Sequence, residues 1–250
     1  MVKKVDSLDR EREILELIIK SYIEESKPIS SLYLCKKYNL NYSSATIRNI
    51  MESLEKKGYL LHIHTSSGRV PTQQAFKYYV RNLKEEDFRK DIPLDLDLNS
   101  MELHNLDEVI SYILEVLSKL SGYISLFTFL GKSEKFFLRG IRFIFRHPEF
   151  EDIEKLKRLF YILEVKINDL HDLLFNSLKD DFKIFVGDEI GFKEISDCSL
   201  VISALNQKEI SYALGLLGPI RMNYIKAISY LSAIKNKIKD IIEEYYEESK

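Results

Sequence analysis

Hydrophobic residues recur at three- and four-residue intervals through the first third of the chain, which predicts a run of helices broken by one short β unit. In residues 8–25, Ile14, Leu15, Leu17, Ile18, Ile19 and Tyr22 share a helical face, and Lys27-Pro28 ends the segment. Ser30 is placed to cap a short second helix carrying Leu32, Leu34 and Lys37, followed by a tight connection over residues 39–42. Ser43 and Ser44 both suit the start of a third helix whose buried stripe is Ile47, Ile50, Met51 and Leu54, with Gly58 marking its end. Residues 59–63 read as a strand, 65–68 as a turn cluster and Arg69-Val70 as the returning strand. Pro71 closes that strand, and Thr72 can cap a fourth helix containing Phe76, Tyr79, Val80 and Leu83. Helix, short helix, turn, longer helix and two-stranded wing together make a winged helix-turn-helix unit over residues 1–83.

Residues 84–100 carry a charged run, Pro93 and an alternating Asp-Leu pair, and read as a linker, part of which can extend the fourth helix. Beyond it, residues 101–120 have helical spacing, 123–130 are β-branched and aromatic, and 131–134 form a turn into a strand at 135–138. Helical spacing returns over 153–163 and 170–178; strands are expected at 182–187, 200–205 and 209–217, and a long final helix at 224–248. The expected fold class is therefore α+β, with antiparallel strands in a second domain at 101–250. This strand count alone fits several α+β folds.

Opposite the stripe of the third helix lie Ala45, Arg48, Asn49, Glu52 and Lys56. A face that is small and polar at its N-terminal end can enter a major groove, where Arg pairs with guanine and Asn with adenine. Taken alone, the same helix also fits an ordinary solvated surface. Charge adds modest weight to the first reading. The whole chain has a net charge of −2, yet residues 1–83 hold 14 Lys and Arg against 9 Asp and Glu, while residues 84–250 hold 23 against 30.

Three separated blocks bear a family resemblance. Ser44-Ala45-Thr46-Ile47-Arg48-Asn49, the run from His64 through Thr65, Ser66, Ser67, Gly68, Arg69 and Val70 to Pro71-Thr72, and Tyr78-Tyr79-Val80 resemble the N-terminal domain of the HrcA family of heat-inducible transcription repressors. Pro148-Glu149-Phe150, Asp197-Cys198-Ser199-Leu200-Val201 and the stretch from Gly215 through Gly218-Pro219-Ile220-Arg221-Met222-Asn223 to Tyr224 resemble motifs of its C-terminal part. The resemblance implies a GAF-like second domain and a homodimer bound to an inverted-repeat DNA operator upstream of chaperone genes; the lack of a signal pattern at Met1-Val2-Lys3-Lys4 makes a cytoplasmic protein the expectation. It also implies that repression depends on a GroE-type chaperonin. The expected DNA-contacting residues are Ser43, Ser44, Ala45, Thr46, Arg48, Asn49 and Glu52 on the helix, with His64, Thr65, Ser66, Gly68 and Arg69 at the wing. Arg69 is expected near the wing tip, where a guanidinium can reach a minor groove or a phosphate; an ordinary solvated charge is its alternative. The family further implies an inserted dimerisation segment between about Leu130 and Lys135. Only residues 131–134 span that gap here, so the insert is expected to be missing and the dimer interface stays open.

Other chemistry is sparse. His62 and His64 fall on one side of a strand, but a zinc site wants more ligands than this pair, and no metal or cofactor is expected. Cys35 and Cys198 lie far apart in apolar patterns and read as buried thiols in a reducing compartment. Phe136, Phe137, Phe143, Phe145 and Phe150 read as core, with a partner surface as the alternative; Gly218, Pro219, Arg221 and Met222 read as structural residues of a turn. No Gly-rich phosphate loop, metalloprotease pair or nucleophile-base grouping is visible, so an enzyme is not expected. The longest apolar run, at 123–130, is well short of the roughly 18 residues of a membrane span. Two further readings stay open: a regulator whose second domain senses a small ligand, and a protein-interaction module with no DNA target.

Overall fold

Side-chain caps set the frame of the first unit. In the computed structural model, which describes residues 7–63, 68–88, 106–130, 134–178, 182–206 and 211–248, helices α1 (Ser7–Glu25), α2 (Ser31–Tyr38) and α3 (Ser44–Lys56) precede strands β1 (Leu60–His62) and β2 (Arg69–Pro71) and helix α4 (Gln73–Arg81). Ser30 Oγ accepts from Tyr33 N, Ser43 Oγ from Thr46 N and Thr72 Oγ1 from Ala75 N, so α2, α3 and α4 each begin where a hydroxyl satisfies a free helix amide. Asn39 ends α2 in the left-handed region, and Gly58 follows α3 with φ of 79°. Ile14, Ile18 and Ile19 of α1, Leu34 of α2, Ile47, Met51 and Leu54 of α3, Leu60 of β1 and Phe76 of α4 are buried. Ile50, expected in the stripe, is only half-buried because it lies at the stripe's edge.

The wing is tied down at its base. β1 and β2 pair antiparallel, with His62 opposite Arg69. Arg69 also exchanges two backbone hydrogen bonds of 2.8 Å with Ile29, between α1 and α2, adding an isolated bridge beside the strand pair.

The second unit begins at Lys84. Its α5 (Glu85–Phe88) lies against the last helix, so the stretch expected as linker starts with an ordered turn separate from α4; residues 89–100 lie outside the described residues. After α6 (Leu106–Ser121) come β3 (Ile124–Leu130), β4 (Glu134–Arg139), α7 (Ile153–Val165), α8 (Ile167–Asn176), β5 (Phe182–Val186), β6 (Cys198–Asn206), β7 (Ser211–Pro219) and α9 (Tyr224–Glu248). The strands form one antiparallel sheet in the order β4-β3-β7-β6-β5, the arrangement of a GAF-like α+β domain.

Helices cover both faces of this sheet, which explains why β6 and β7 read as nearly continuous apolar runs. Leu126, Leu200, Ile202 and Leu217 face a cluster with Leu159 and Ile162 of α7 and Leu170 and Leu174 of α8. On the other face pack α6 and α9, through residues that include Ile113, Leu117, Leu231 and Ile238.

Four short 3-10 turns, Ile141–Arg146, Pro148–Glu151, Gly187–Ile190 and Lys193–Ile195, carry no helical periodicity and lie outside the expected elements, except that Gly187 starts a turn where the expected strand 182–187 ends. Two residue expectations are corrected here. Phe143 and Phe150 are core, but Phe145 is exposed because its 3-10 turn points it away from the sheet; Cys198 is buried, whereas Cys35 is half-buried and donates to the Tyr42 carbonyl. Burial pushes the Cys198 thiol pKa well up. Among the described residues no helix is long and apolar enough to cross a membrane.

Candidate nucleic-acid interface

The third helix divides its residues by face as amphipathic spacing requires. Ile47, Met51 and Leu54 turn inward, while Ala45, Arg48, Asn49, Glu52 and Lys56 stand exposed. Arg48 and Asn49 thus present a guanidinium fork and an amide, groups chemically able to pair with base edges, with Ala45 keeping the helix start slim. At that start, Ser43 Oγ and Thr46 Oγ1 lie 2.9 Å apart. The two hydroxyls share one hydrogen between them, which leaves the second free for a phosphate oxygen beside the positive helix end. Ser44 is half-buried at the same turn.

The helix is locked from behind by a residue that periodicity does not flag. Glu11 of α1 accepts from Ser53 Oγ at 2.7 Å and from Lys57 Nζ at the far end of α3. The Lys57 hydrogen bond, helped by Ser53, holds the Glu11 carboxyl below its usual value. This clamp fixes the rotation of α3 on α1, so the outward face keeps one orientation. Nothing in an (i, i+4) pattern could have found it, because its partners lie 42 and 46 residues away.

At the wing, Arg69 departs from the expected place. Its side chain is 15% exposed, and Nε donates to Glu55 Oε2 at 2.8 Å, so strand β2 is joined to α3. The alternative of an ordinary solvated charge is corrected: Arg69 gives Nε to Glu55, which its strand β2 can reach because its partner β1 packs on α3. Gly68 has an equally local role. A Cβ there would sit 2.3 Å from the backbone of Ile29, so only glycine admits the close approach that the Ile29–Arg69 bridge needs. Thr72 completes the frame by donating to the Gly58 carbonyl at 2.7 Å while capping α4. His64, Thr65 and Ser66 lie outside the described residues. Among the described residues no His, Cys, Asp and Glu grouping could hold a metal.

The C-terminal motif blocks, far apart in sequence, meet at one end of the sheet. Arg221 is almost buried and forms an ion pair with Glu149, with Nη2 3.1 Å from Oε2. Tyr123 OH accepts from Asn223 N at 2.8 Å, and the ring of His147 stacks on Tyr123 with centroids 5.4 Å apart. Tyr224 and Ser199 share a buried hydroxyl contact of 2.8 Å. These residues bind motif to motif, beyond the turn-shaping role expected of Gly218, Pro219, Arg221 and Met222; in that turn Met222 N donates to the Pro219 carbonyl at 2.8 Å.

A winged helix with a slim, polar, outward-facing third helix, joined to a helix-covered antiparallel sheet, defines a transcription regulator of the winged-helix class. Residues 53–228 match the family described as HrcA protein C terminal domain. The chain belongs to the HrcA family. A heat-inducible transcription repressor HrcA of Carboxydothermus hydrogenoformans is 25% identical over 337 residues, covering 94% of this chain and 98% of the relative. One from Prosthecochloris aestuarii is 37% identical over 129 residues, covering 50% of this chain and 36% of its own. A crystal structure of a hypothetical protein superposes with a TM-score of 0.77 at 17% identity, covering 95% of this chain and 99% of that one, which shows the shared fold. An alignment of 337 positions exceeds the 250 residues available here, so the Carboxydothermus relative carries residues with no counterpart in this chain. In this chain Leu130 pairs with Glu134, which closes the β3–β4 link after three residues and leaves no inserted segment between those strands.

Proposed function

We propose that the chain is a homodimeric, heat-inducible repressor that binds an inverted-repeat operator of chaperone genes. The observation that carries this reading is the exposed face of α3, where Ala45, Arg48, Asn49 and Glu52 stand clear of the core behind a capped helix start. Each subunit lays that face in a major groove; the hydroxyls of Ser43 and Thr46 and the helix N-terminus meet phosphates, and the wing residues His64, Thr65, Ser66, Gly68 and Arg69 flank the site. Two-fold pairing of subunits calls for an inverted repeat. Family membership supports the heat response and a GroE-type chaperonin as partner: when unfolded proteins occupy the chaperonin, the repressor loses its active fold and the genes are released. Marginal stability of the active fold suffices for such a switch without a ligand.

The test is binding to an inverted-repeat duplex taken from a chaperone promoter across a salt series. Affinity should fall steeply, by about 0.9 logarithmic units per logarithmic unit of salt for each phosphate engaged. Arg48→Ala should cost about 1–3 kcal/mol and relax base preference. A flat salt response, with equal affinity for unrelated duplexes, would remove the DNA-binding reading.

A further inference from the structure

Helix α7 buries Leu159, Ile162 and Leu163 against the sheet and turns a second apolar stripe to solvent. Ile153, Phe160, Tyr161 and Val165 are between 36% and 60% exposed, and together with Lys157 and Glu164 they form an open apolar surface along the helix. Positions 153, 157, 160, 161, 164 and 165 fall on one helical face, and the exposed Phe145 ring extends the patch, 6.4 Å from Phe160. Isolated apolar residues on a surface need no explanation; a continuous stripe of four on one helix, bordered by charge, marks an interaction surface.

The charges select the occupant. Lys157 lies three residues before Phe160 and Glu164 three residues after Tyr161, so the stripe is charge-antisymmetric about its aromatic centre. A second copy of α7 laid antiparallel across a two-fold axis at Phe160-Tyr161 brings Lys157 of each copy beside Glu164 of the other. It also sets each Phe160 against a Tyr161 and each Leu156 against a Val165. A parallel arrangement would put lysine on lysine and glutamate on glutamate, which is repulsive. An isologous contact needs self-complementarity of this kind. We infer that the α7 face is where two copies of this chain pair, antiparallel, through Phe160, Tyr161 and two Lys157–Glu164 ion pairs.

This assignment rests on the reading that the repressor acts as a homodimer, and it names the surface that does the work where no segment stands between β3 and β4. A helix face of this length buries roughly 500 Å2 per copy, short of the ~800 Å2 per partner of a standard interface. Self-association in the micromolar range is therefore expected, strengthened when two half-sites on one duplex hold both copies.

Sedimentation velocity of the full chain from about 1 to 100 μM tests it. Lys157 is exposed and held within its own chain by Glu154 at 2.8 Å, and Glu164 is exposed, so charge reversal at either position should leave the fold intact by circular dichroism. Lys157→Glu and Glu164→Lys should each weaken dimerisation at least about tenfold, Val165→Asp should do the same, and the double reversal K157E/E164K should restore it. A wild-type dimer that all these variants form equally well, or single losses that the double reversal does not recover, would overturn the surface while leaving the homodimer reading standing. A wild-type chain that stays monomeric both alone and on a two-half-site duplex would overturn the homodimer reading and the surface with it.

Discussion

Arg69 donates through Nε to Glu55 at 2.8 Å, an ion pair that joins strand β2 to helix α3. If Arg69 mainly positions the wing, Arg69→Ala and Glu55→Ala should lower operator affinity by similar factors, each by several-fold. If Arg69 also touches DNA, the arginine variant should lose at least about tenfold more. Fluorescence anisotropy with a labelled operator separates the two outcomes. The pair is partly screened by solvent, so either variant should cost no more than about 1 kcal/mol of stability.

Gly68→Ala tests the close approach at the wing base. With a Cβ 2.3 Å from the Ile29 backbone, the wing must shift and the Ile29–Arg69 bridge must open. A loss of about 1–3 kcal/mol is expected in urea unfolding, as for other overpacked sites. A variant as stable as wild type would mean that the wing base lies farther from Ile29.

The Arg221–Glu149 pair should behave as a buried pair does. Arg221→Met strands a half-buried carboxylate and should cost about 3 kcal/mol, while adding Glu149→Leu should recover much of that loss. Thermal melting of the single and double variants checks this. Equal losses in both would place the energy in packing around Arg221.

His147 supplies a pH dependence. Burial lowers its pKa from 6.5, with the positive charge of Arg221 adding to the effect, although Nε2 donates to the Gly122 carbonyl at 2.8 Å. The unfolded chain therefore takes up a proton that the folded chain resists. The stability contributed by neutral His147 is complete above pH 6.5 and is lost as pH falls through the ordinary histidine range toward the lower folded value. Melting temperature should drop between pH 7 and pH 5, and His147→Gln should flatten that drop. An unchanged slope in the variant would assign the effect to another group.

Much of this architecture was legible in the sequence because it is local. The hydroxyl caps at Ser30, Ser43 and Thr72 and the outward set on α3 follow from spacing and from which side chains can satisfy a free amide. What stayed hidden depends on tertiary placement. Spacing does not single out Glu55, which gains its role only where β2 brings Arg69 beside it, and Gly68 reads as a turn residue until Ile29 comes within reach. Phe145 misled for the opposite reason: its neighbours are core, and only the 3-10 turn decides that it faces outward.

The bridge between Ile29 and Arg69 has a thermal consequence. The wing cannot peel away without also opening the α1–α2 connection, and Glu55 and Thr72 hold the same strand to α3 and α4. A reading head fastened at so many points should melt as one foldon, with the amides of Ile29 and Arg69 exchanging hydrogen at the same rate as the core of α3. If this unit is what holds the operator, as proposed, heating offers it no half-bound state: binding would persist until it unfolds and then end, like a fuse rather than a dial.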